Sequence, residues 1–295
     1  MHTYAFRLLN VFADTTFGGN PLCVFEDARG LDGQAMLDLA RQFNLSETTF
    51  ILPATQADAR VRIFTPGYEM RFAGHPTLGT AHVVRELAAA GDRLTLEFAA
   101  GLVPVEAQGD TWTLTAPVAG APRTAAPALP AGEIAGQLGL CADDLLDAPM
   151  WVDTGADQLL VPLKSVEAVQ RAQPDSTQLH RWQPSSLGRK TAYVFAFDPA
   201  PGRDGRQVVQ ARYFFTKEGG GVAEDPGTGS ACANLGGWLA ARGKALPARI
   251  EVRQGSQVSR PCRLYLDVAR DGAIRVGGQV IELGRGTVRI PPPQA

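Results

Sequence analysis

Short runs of apolar and β-branched residues, each ended by glycine, proline or aspartate, recur along the chain and predict strands. In the first half the predicted strands are Arg7–Phe12, Leu22–Phe25, Thr48–Leu52, Val61–Phe64 and Leu94–Phe98. In the second half they are Arg249–Val258, Arg263–Val268, Ile274–Val276 and Gly286–Ile290. Much of each half should therefore be sheet.

Three segments predict helices instead. Asp32 can cap a helix that runs through Phe43 and has a mainly apolar face. A second helix is predicted from Pro76, because proline is tolerated at a first helical position, to a left-handed end at Gly91. Its counterpart in the second half runs from about Ser230 to Gly243. This helix contains Gly236-Gly237, at a cost of roughly 1 kcal/mol per glycine, so we expect close packing against another backbone there.

Two stretches half a chain apart are similar. Aligning His75 on Asp225 matches five residue pairs 150 positions apart, including Pro76 with Pro226, Gly79 with Gly229 and Thr80 with Ser230. Arg62–Thr65 matches Arg212–Thr216 with a one-residue gap, and Gly18–Val24 resembles Gly155–Val161. The chain is predicted to be a doubled unit in which a Gly/Pro/Thr-rich turn from each half lines one cleft.

The halves are joined by Pro117–Pro130, a Pro/Ala-rich stretch that we interpret as a linker without a continuous helix or ladder. The predicted domains are residues 1–117, joined by 284–295, and residues 118–283. The final strand, Gly286–Ile290, has no match in the first half and is expected to cross back to the first domain.

The composition argues against two classes of binding partner, nucleic acid and membranes. A net charge of −2, with both signs spread over 295 residues, gives no electrostatic footprint for nucleic acid or an anionic membrane. No apolar run is long enough to span a bilayer, so a soluble, cytoplasmic protein is expected. Cys23, Cys141, Cys232 and Cys262 are far apart, which favours reduced, mostly buried thiols over a zinc site or a disulfide framework.

The two Gly-rich turns into helices are candidate anion sites. The first N–H groups of a helix lack internal partners and can bind a carboxylate or phosphate, and Thr77 and Ser230 add hydroxyl donors. The alternative, that glycine and proline only punctuate tight turns, remains open. A phosphate-binding P-loop is excluded because no Lys-Ser or Lys-Thr follows the glycines.

Three titratable residues are candidates for proton chemistry. His75 and Asp225 occupy matching positions before the paired prolines, and an imidazole can exchange protons near neutrality. Glu47, between a predicted helix and a strand, could have a pKa raised by burial. The alternatives are a turn histidine bonded to backbone and a surface glutamate. His82 lies seven positions after His75 without a third ligand, so no metal site is expected.

These segments together resemble the PhzF-like family, the phenazine-biosynthesis-type isomerases, grouped with diaminopimelate epimerase and proline racemase in one duplicated fold. Four stretches carry the resemblance: Phe17–Pro21, Ser46–Phe50, Phe72–Thr77 and Glu224–Ala231. It implies an α+β fold of two pseudo-repeated lobes, each a curved mixed β-sheet or open barrel around a central helix, with the active site between them. It also implies a homodimer.

The resemblance also implies residue roles. Glu47 corresponds to the carboxylate that moves a proton, His75 and Asp225 to its polar companions, and Ser230 to a group that binds substrate near Gly74 and Gly229. Asn20 and Thr77, in the matching stretches, are further candidates for substrate binding. No cofactor is implied.

The racemase branch of this superfamily uses two cysteines, and this chain departs from it, with Ala73 and Pro226 at the positions that we match to them. Cys232 is interpreted as core. The function expected is a cofactor-independent biosynthetic isomerase that moves a proton on a small carboxylated metabolite, of the trans-2,3-dihydro-3-hydroxyanthranilate type. The alternatives are a catalytically silent small-anion-binding protein on the same fold and, less supported, a scaffold protein.

Overall fold

A computed structural model of the chain describes residues 1–116, 121–217 and 219–291, and its elements mix strands and helices. The strands are β1 His2–Val11, β2 Asn20–Phe25, β3 Glu47–Leu52, β4 Ala59–Phe64, β5 Glu69–Met70, β6 Arg93–Phe98, β7 Gly101–Gln108, β8 Thr111–Thr115, β9 Arg123–Ala125, β10 Met150–Asp153, β11 Asp157–Pro162, β12 Thr191–Pro201, β13 Gln207–Thr216, β14 Val222–Asp225, β15 Ala248–Gln254, β16 Cys262–Val268 and β17 Ile274–Ile290. The α-helices are α1 Gly33–Phe43, α2 Gly74–Leu87, α3 Ala131–Gln137, α4 Val166–Arg171 and α5 Gly229–Ala241.

The chain divides into two compact units. The first unit is Met1–Leu114 with Gly277–Ala295, and the second unit is Thr115–Val276. The boundaries predicted from the sequence, after residue 117 and before residue 284, stay predictions. Residues 117–120 of the predicted linker lie outside the described residues, and Arg123–Ala125 forms a short strand that pairs with β10, so the linker is not free of ladder structure.

In the first unit, eight strands close into a barrel. The antiparallel pairs are β1 with β2, β3 with β4, β6 with β7, β7 with β8 and β1 with β17, and the parallel pairs are β2 with β3 and β4 with β6. Pairing of β8 with β17 completes the ring. The predicted curved mixed sheet is therefore confirmed in this unit, and it is closed.

Helix α2 lies inside this barrel. Nine of its residues are buried, from His75 to Val84, and all of them except His75 are small or apolar, as a helix surrounded by protein requires. Gly79 marks the closest approach, since an added Cβ would lie 2.5 Å from Leu22 Cδ2 and 2.9 Å from Val11 Cγ2. A hydrogen bond of 2.8 Å between the Thr49 and Thr80 hydroxyls ties the helix to β3. The central helix is thereby held in one register against the strands.

Helix α1 confirms the prediction made from Asp32. The Asp32 carboxylate accepts a hydrogen bond from the Ala35 backbone N–H, and the helix ends at Phe43 with Asn44 in the left-handed conformation. Its apolar face packs into a cluster that includes Phe25 and Phe50, whose rings stack at 4.8 Å. The helix therefore covers apolar residues of β2 and β3.

The second unit repeats this pattern of strands. The antiparallel pairs are β9 with β10, β10 with β11, β12 with β13, β13 with β14 and β15 with β16, and the parallel pairs are β11 with β12 and β13 with β15. Strands β10 to β16 thus repeat the pairing of β1 to β7 within the first unit. The internal duplication read from the sequence is confirmed at the level of topology.

Helix α5 is the buried helix of the second unit, and its paired glycines allow close contacts. A Cβ on Gly237 would lie 2.8 Å from Val152 Cγ1 and 3.0 Å from Pro122 Cβ, and one on Gly236 would lie 3.0 Å from Ile274 Cγ2. Close packing was expected here, but against another backbone; the neighbours are apolar side chains.

The predicted ends of α2 were wrong at both termini. The helix begins at Gly74, so Pro76 is its third residue, where the missing N–H is still one of the unpaired donors of a first turn. It ends at Leu87, and the left-handed residue after it is Ala89 with φ 48°, not Gly91. Glycine adopts the left-handed conformation at little cost, but here an alanine adopts it two residues after the helix ends.

Candidate active site

In the first unit, Glu47 and His75 form a close pair. Glu47 is the first residue of β3, and His75 is the second residue of α2. His75 Nε2 lies 3.4 Å from Glu47 Oε2, and the side chains are 7% and 16% exposed. Two residues predicted separately from the sequence are therefore brought together, in a setting nearly closed to solvent.

The tautomer of His75 follows from its contacts. The ring makes a hydrogen bond with the backbone carbonyl of Pro21. Within the described part of the chain Nε2 has no hydrogen-bond partner, so Nδ1 is the nitrogen that donates to Pro21. In a neutral imidazole this leaves the Nε2 lone pair directed toward the Glu47 carboxyl group.

Burial keeps this imidazole neutral. Desolvation lowers the pKa of His75 from 6.5 to about 3, and the bond to Pro21 opposes that shift only in part. The neutral imidazole therefore keeps an unprotonated Nε2, which lies 3.4 Å from the Glu47 carboxyl group. Such a pair can deliver a proton to a substrate carbon or take one from it.

Two other predicted residues lie on α2, and a third lies on β2. Asn20, the first residue of β2, is fully buried, and Gly74 is the first residue of α2. Thr77 is also fully buried, and its hydroxyl donates to the Ala73 carbonyl at 2.7 Å. The Thr77 proton is thus engaged in its own helix, while Gly74 presents its backbone N–H at an end without a side-chain cap.

In the second unit, Asp225 ends β14 and is held by two neighbours. The Thr228 hydroxyl donates to Asp225 Oδ2. Gln254 Nε2 donates to the Asp225 carbonyl at 2.8 Å and to Thr228 Oγ1 at 3.0 Å, while the Thr228 N–H donates to Gln254 Oε1 at 3.4 Å. The Thr228 hydroxyl therefore accepts from the amide and donates to the carboxylate, which fixes the direction in which Asp225 points.

Ser230 is the second residue of α5, directly after Gly229, and a separate chain of polar groups lies behind it. Gln158 Nε2 donates to Ser230 Oγ at 2.8 Å, and Asn234 Nδ2 donates to Gln158 Oε1 at 2.5 Å. Asn234 also accepts from the Thr154 hydroxyl at 2.7 Å and from the Thr154 N–H at 2.9 Å. Ser230 is thereby tied into the interior of its own unit.

The helix starts correct the residue correspondence that the sequence suggested. Gly74 begins α2 and Gly229 begins α5, so His75 matches Ser230 as the second helical residue. Asp225 lies in β14, four residues before α5, and is not the counterpart of His75. By the same criterion the residue before each helix is Ala73 or Thr228, so Pro226 was the wrong match. The paired prolines misled the alignment because one is helical and the other is in a turn.

The remaining candidates fall outside this chemistry. His82 is 13% exposed, its Nδ1 lies 3.9 Å from Asp110 Oδ1, and burial lowers its pKa. Cys23, Cys232 and Cys262 are buried and form no disulfide, whereas Cys141 is exposed. Cys232 is fully buried, as expected for core. The shared cleft, and a meeting of Asp225 with Glu47 and His75, stay predictions.

Sequence reasoning missed the residues that hold the candidate site. Gln158, Asn234 and Gln254 are all buried amides. Asn234 had a visible signal, since it is the one amide in the otherwise apolar run Ala231–Leu239. Gln158 fell in no predicted strand, and Gln254 lay inside the predicted strand Arg249–Val258, where one polar residue looks ordinary.

The structure thus combines a duplicated α+β fold, a buried helix in each unit and a carboxyl–imidazole pair at the start of one of these helices. The chain belongs to the phenazine biosynthesis-like family, whose model matches residues 9–286.

Relatives with full-length similarity support this placement. An uncharacterized isomerase of Pasteurella multocida is 39% identical over 98% of this chain and 95% of its own length. The trans-2,3-dihydro-3-hydroxyanthranilate isomerase of Pseudomonas aeruginosa is 34% identical over 97% of this chain and 99% of its own. The crystal structure of a Bacillus anthracis phenazine biosynthesis protein of the PhzF family superposes with a TM-score of 0.83 at 25% identity, covering 98% of this chain and 100% of that one.

Because these relatives are named isomerases, this chain is assigned to the isomerase class. Among the residues that the structure describes, no helix has the length and apolar character to cross a bilayer.

Proposed function

We propose that this protein is an isomerase that moves a proton on a small carboxylated metabolite with its own side chains. The observation that carries the proposal is the buried Glu47–His75 pair, in which Nε2 and Oε2 are 3.4 Å apart and the imidazole is held neutral. A neutral imidazole beside a carboxyl group is suited to carbon acids, which need a base and an acid close together.

The proposed substrate type is trans-2,3-dihydro-3-hydroxyanthranilate, the substrate named for the Pseudomonas aeruginosa relative. In the reaction a C–H bond breaks at one carbon, the double bonds shift, and a C–H bond forms at another carbon. The proton that leaves passes to the Glu47–His75 pair, and the pair supplies the proton that arrives. Atoms and electrons balance, so a redox partner is not called for and the reaction is proposed to be cofactor-independent.

Binding of the carboxylate is proposed to use the two helix starts. Neither α2 nor α5 has a side-chain cap, so N–H groups near Gly74 and Gly229 are available to an anion. Ser230 and Asn20 are proposed as further binding groups, Thr77 as support for the first turn of α2, and Asp225 as a polar companion of the reacting atoms.

The test compares Glu47→Gln with Glu106→Gln, which makes the same charge change at an exposed strand position. With trans-2,3-dihydro-3-hydroxyanthranilate in deuterated water, the native chain and Glu106→Gln should form product and incorporate deuterium. Glu47→Gln should lose roughly 10²- to 10⁴-fold in kcat, the range of general acid–base contributions. Its affinity in calorimetry should stay nearly native.

Two results would overturn the proposal. Native-like turnover by Glu47→Gln would reject the role of the pair. Binding by the native chain without deuterium exchange, for this compound and for a panel of cyclic and α-amino carboxylates, would favour the alternative of a silent small-anion-binding protein. A homodimer and a cytoplasmic location remain predictions from the sequence.

A further inference from the structure

The hydrogen bonds in the buried polar network behind Ser230 run in one direction, and backbone groups determine which. Asn234 is fully buried, and Thr154 and Gln158 are 3% and 4% exposed. A backbone N–H can only donate and a carbonyl can only accept. The Asn234 amide must therefore place Oδ1 next to the Thr154 N–H, from which it accepts. It must place Nδ2 next to the Ala156 carbonyl, to which it donates at 2.8 Å.

This orientation propagates to Ser230. Because Asn234 presents Nδ2 to Gln158, Gln158 must present Oε1 to Asn234 and Nε2 to Ser230. An amide nitrogen cannot accept a hydrogen bond, so the Ser230 oxygen accepts from it. Among residues 1–116, 121–217 and 219–291, Gln158 is the one side chain that bonds the Ser230 hydroxyl. The hydroxyl hydrogen of Ser230 is thus left to donate to something else.

We propose that Thr154, Asn234 and Gln158 are positioning residues that fix Ser230 as a hydrogen-bond donor, so that it binds an oxygen acceptor of the substrate, a carboxylate or carbonyl oxygen. The inference rests on the proposed function and deepens it. A serine hydroxyl normally rotates to suit either a donor or an acceptor. Here its polarity is set before the ligand arrives, which removes part of the ordering cost of binding and disfavours ligands that offer only an N–H.

The substitution that isolates this effect is Gln158→Glu. The shape is unchanged, and one carboxylate oxygen still accepts from Asn234 Nδ2. The other, when ionised, cannot donate to Ser230 and instead accepts the serine proton, which reverses the hydroxyl. When protonated, the same oxygen donates to Ser230 and restores the native direction. Burial favours the protonated form, so both states lie in an accessible pH range.

Three titratable or charged groups that act at or next to Gln158, those of Tyr213, Asp225 and Arg189, are the same in all variants. The Tyr213 phenol interacts with Gln158 and stays neutral, because burial raises its pKa to about 12. Asp225 and Arg189 act on that phenol through their charges. Ratios of variant to native affinity at each pH therefore cancel their contribution.

The experiment measures the Kd of 3-hydroxyanthranilate, the fully aromatic and non-isomerisable counterpart of the proposed substrate, by calorimetry from pH 5.5 to 9. Gln158→Glu should bind roughly tenfold to hundredfold more weakly than native at the alkaline end, the loss of one hydrogen bond to a charged acceptor, and recover toward native at the acidic end. Gln158→Met, which can neither donate nor accept, should be weaker by a pH-independent factor. Gln207→Glu, at an exposed position of β13, should match native throughout.

Comparing the same substitution in Ser230→Ala protein keeps the inference testable if Gln158→Glu lowers the stability of the fold. In Ser230→Ala the hydroxyl is gone, so adding Gln158→Glu should change Kd less than twofold at any pH. A full Gln158→Glu effect without Ser230, or equal affinity of Gln158→Glu and Gln207→Glu at pH 9, would overturn the inference. Binding without turnover would reject only the isomerase. No binding by the native chain would overturn the proposed substrate class, and with it the acceptor assigned to Ser230.

Discussion

Acidification should destabilise this protein through His75. The imidazole is 7% exposed in the folded chain, and burial lowers its pKa from 6.5 to about 3. In an unfolded chain the same group has an ordinary pKa and binds a proton below about 6.5. Between pH 6.5 and 3 the unfolded state therefore holds more protons than the folded state, so the free energy of unfolding rises with pH across this window and is lost as the pH falls.

The magnitude follows from the size of the shift. Each unit of pKa difference corresponds to about 1.4 kcal/mol, so acidification from pH 7 to pH 4 should remove about 3 kcal/mol through this one group. That is a large part of the 5–15 kcal/mol by which proteins are typically stable. Because Glu47 lies 3.4 Å away, the slope reports the titration of the pair rather than of an isolated imidazole.

The assay is urea unfolding at several pH values between 4 and 7, for native protein and for His75→Asn. The asparagine amide can replace Nδ1 as donor to Pro21 but does not titrate. Over this pH range the free energy of unfolding of the variant should fall by about 3 kcal/mol less than that of the native protein, whatever the absolute stability of the variant. His2→Asn removes an exposed histidine and should keep the native slope.

An NMR titration gives an independent check. The His75 ring signals should remain those of a neutral, Nδ1-protonated imidazole down to pH 4. Equal pH slopes for native and His75→Asn, or a His75 signal that titrates near pH 6.5, would refute the argument that burial holds this ring neutral.

Three further predictions concern packing, charge and thiol access. Gly79→Ala should lower the free energy of unfolding by roughly 1–3 kcal/mol, because its Cβ would overlap core side chains, while Gly91→Ala, with open space around it, should change it little; equal effects in urea unfolding would refute the packing argument. Arg7→Met should lower the free energy of unfolding by about 3 kcal/mol, because its guanidinium is 2% exposed and bonds three carboxylates. Arg29→Met, at a side chain 71% exposed, should change it much less, and a reversed order would contradict this argument. One thiol, that of Cys141, should react rapidly with a disulfide reagent in folded protein and all four in denaturant; fast reaction of a second thiol would show that the other cysteines are not enclosed.

Local signals in the sequence predicted local structure well. Short apolar and β-branched runs ended by turn residues placed β2, β3 and β6 to within a residue or two. Asp32 marked the start of α1 because its carboxylate caps the helix. The family resemblance supplied the barrel-like fold and named Glu47 and His75, which the structure places side by side.

Features that depend on packing were harder to predict. The ends of α2 did not follow its proline and glycine: Pro76 is the third helical residue, and Ala89 rather than Gly91 is the left-handed residue after the helix. The polar support of Ser230 and Asp225 comes from β11, β15 and α5, elements distant in sequence, so Gln158 and Gln254 gave no signal until the fold joined them. The false match of His75 with Asp225 arose because two prolines with different local roles look alike in a sequence.

The pairing of β1 with β17 has a consequence for biosynthesis. His2 lies opposite Ile290, so this pairing in the first barrel joins two segments that have the whole second unit between them in the sequence. A ribosome delivers residue 2 long before residue 290, and every strand of the second unit emerges in between. The second unit can therefore complete its own strand pairing during translation, while β1 of the first unit still has one unpaired edge. During this period a holdase chaperone would have an exposed edge strand to protect.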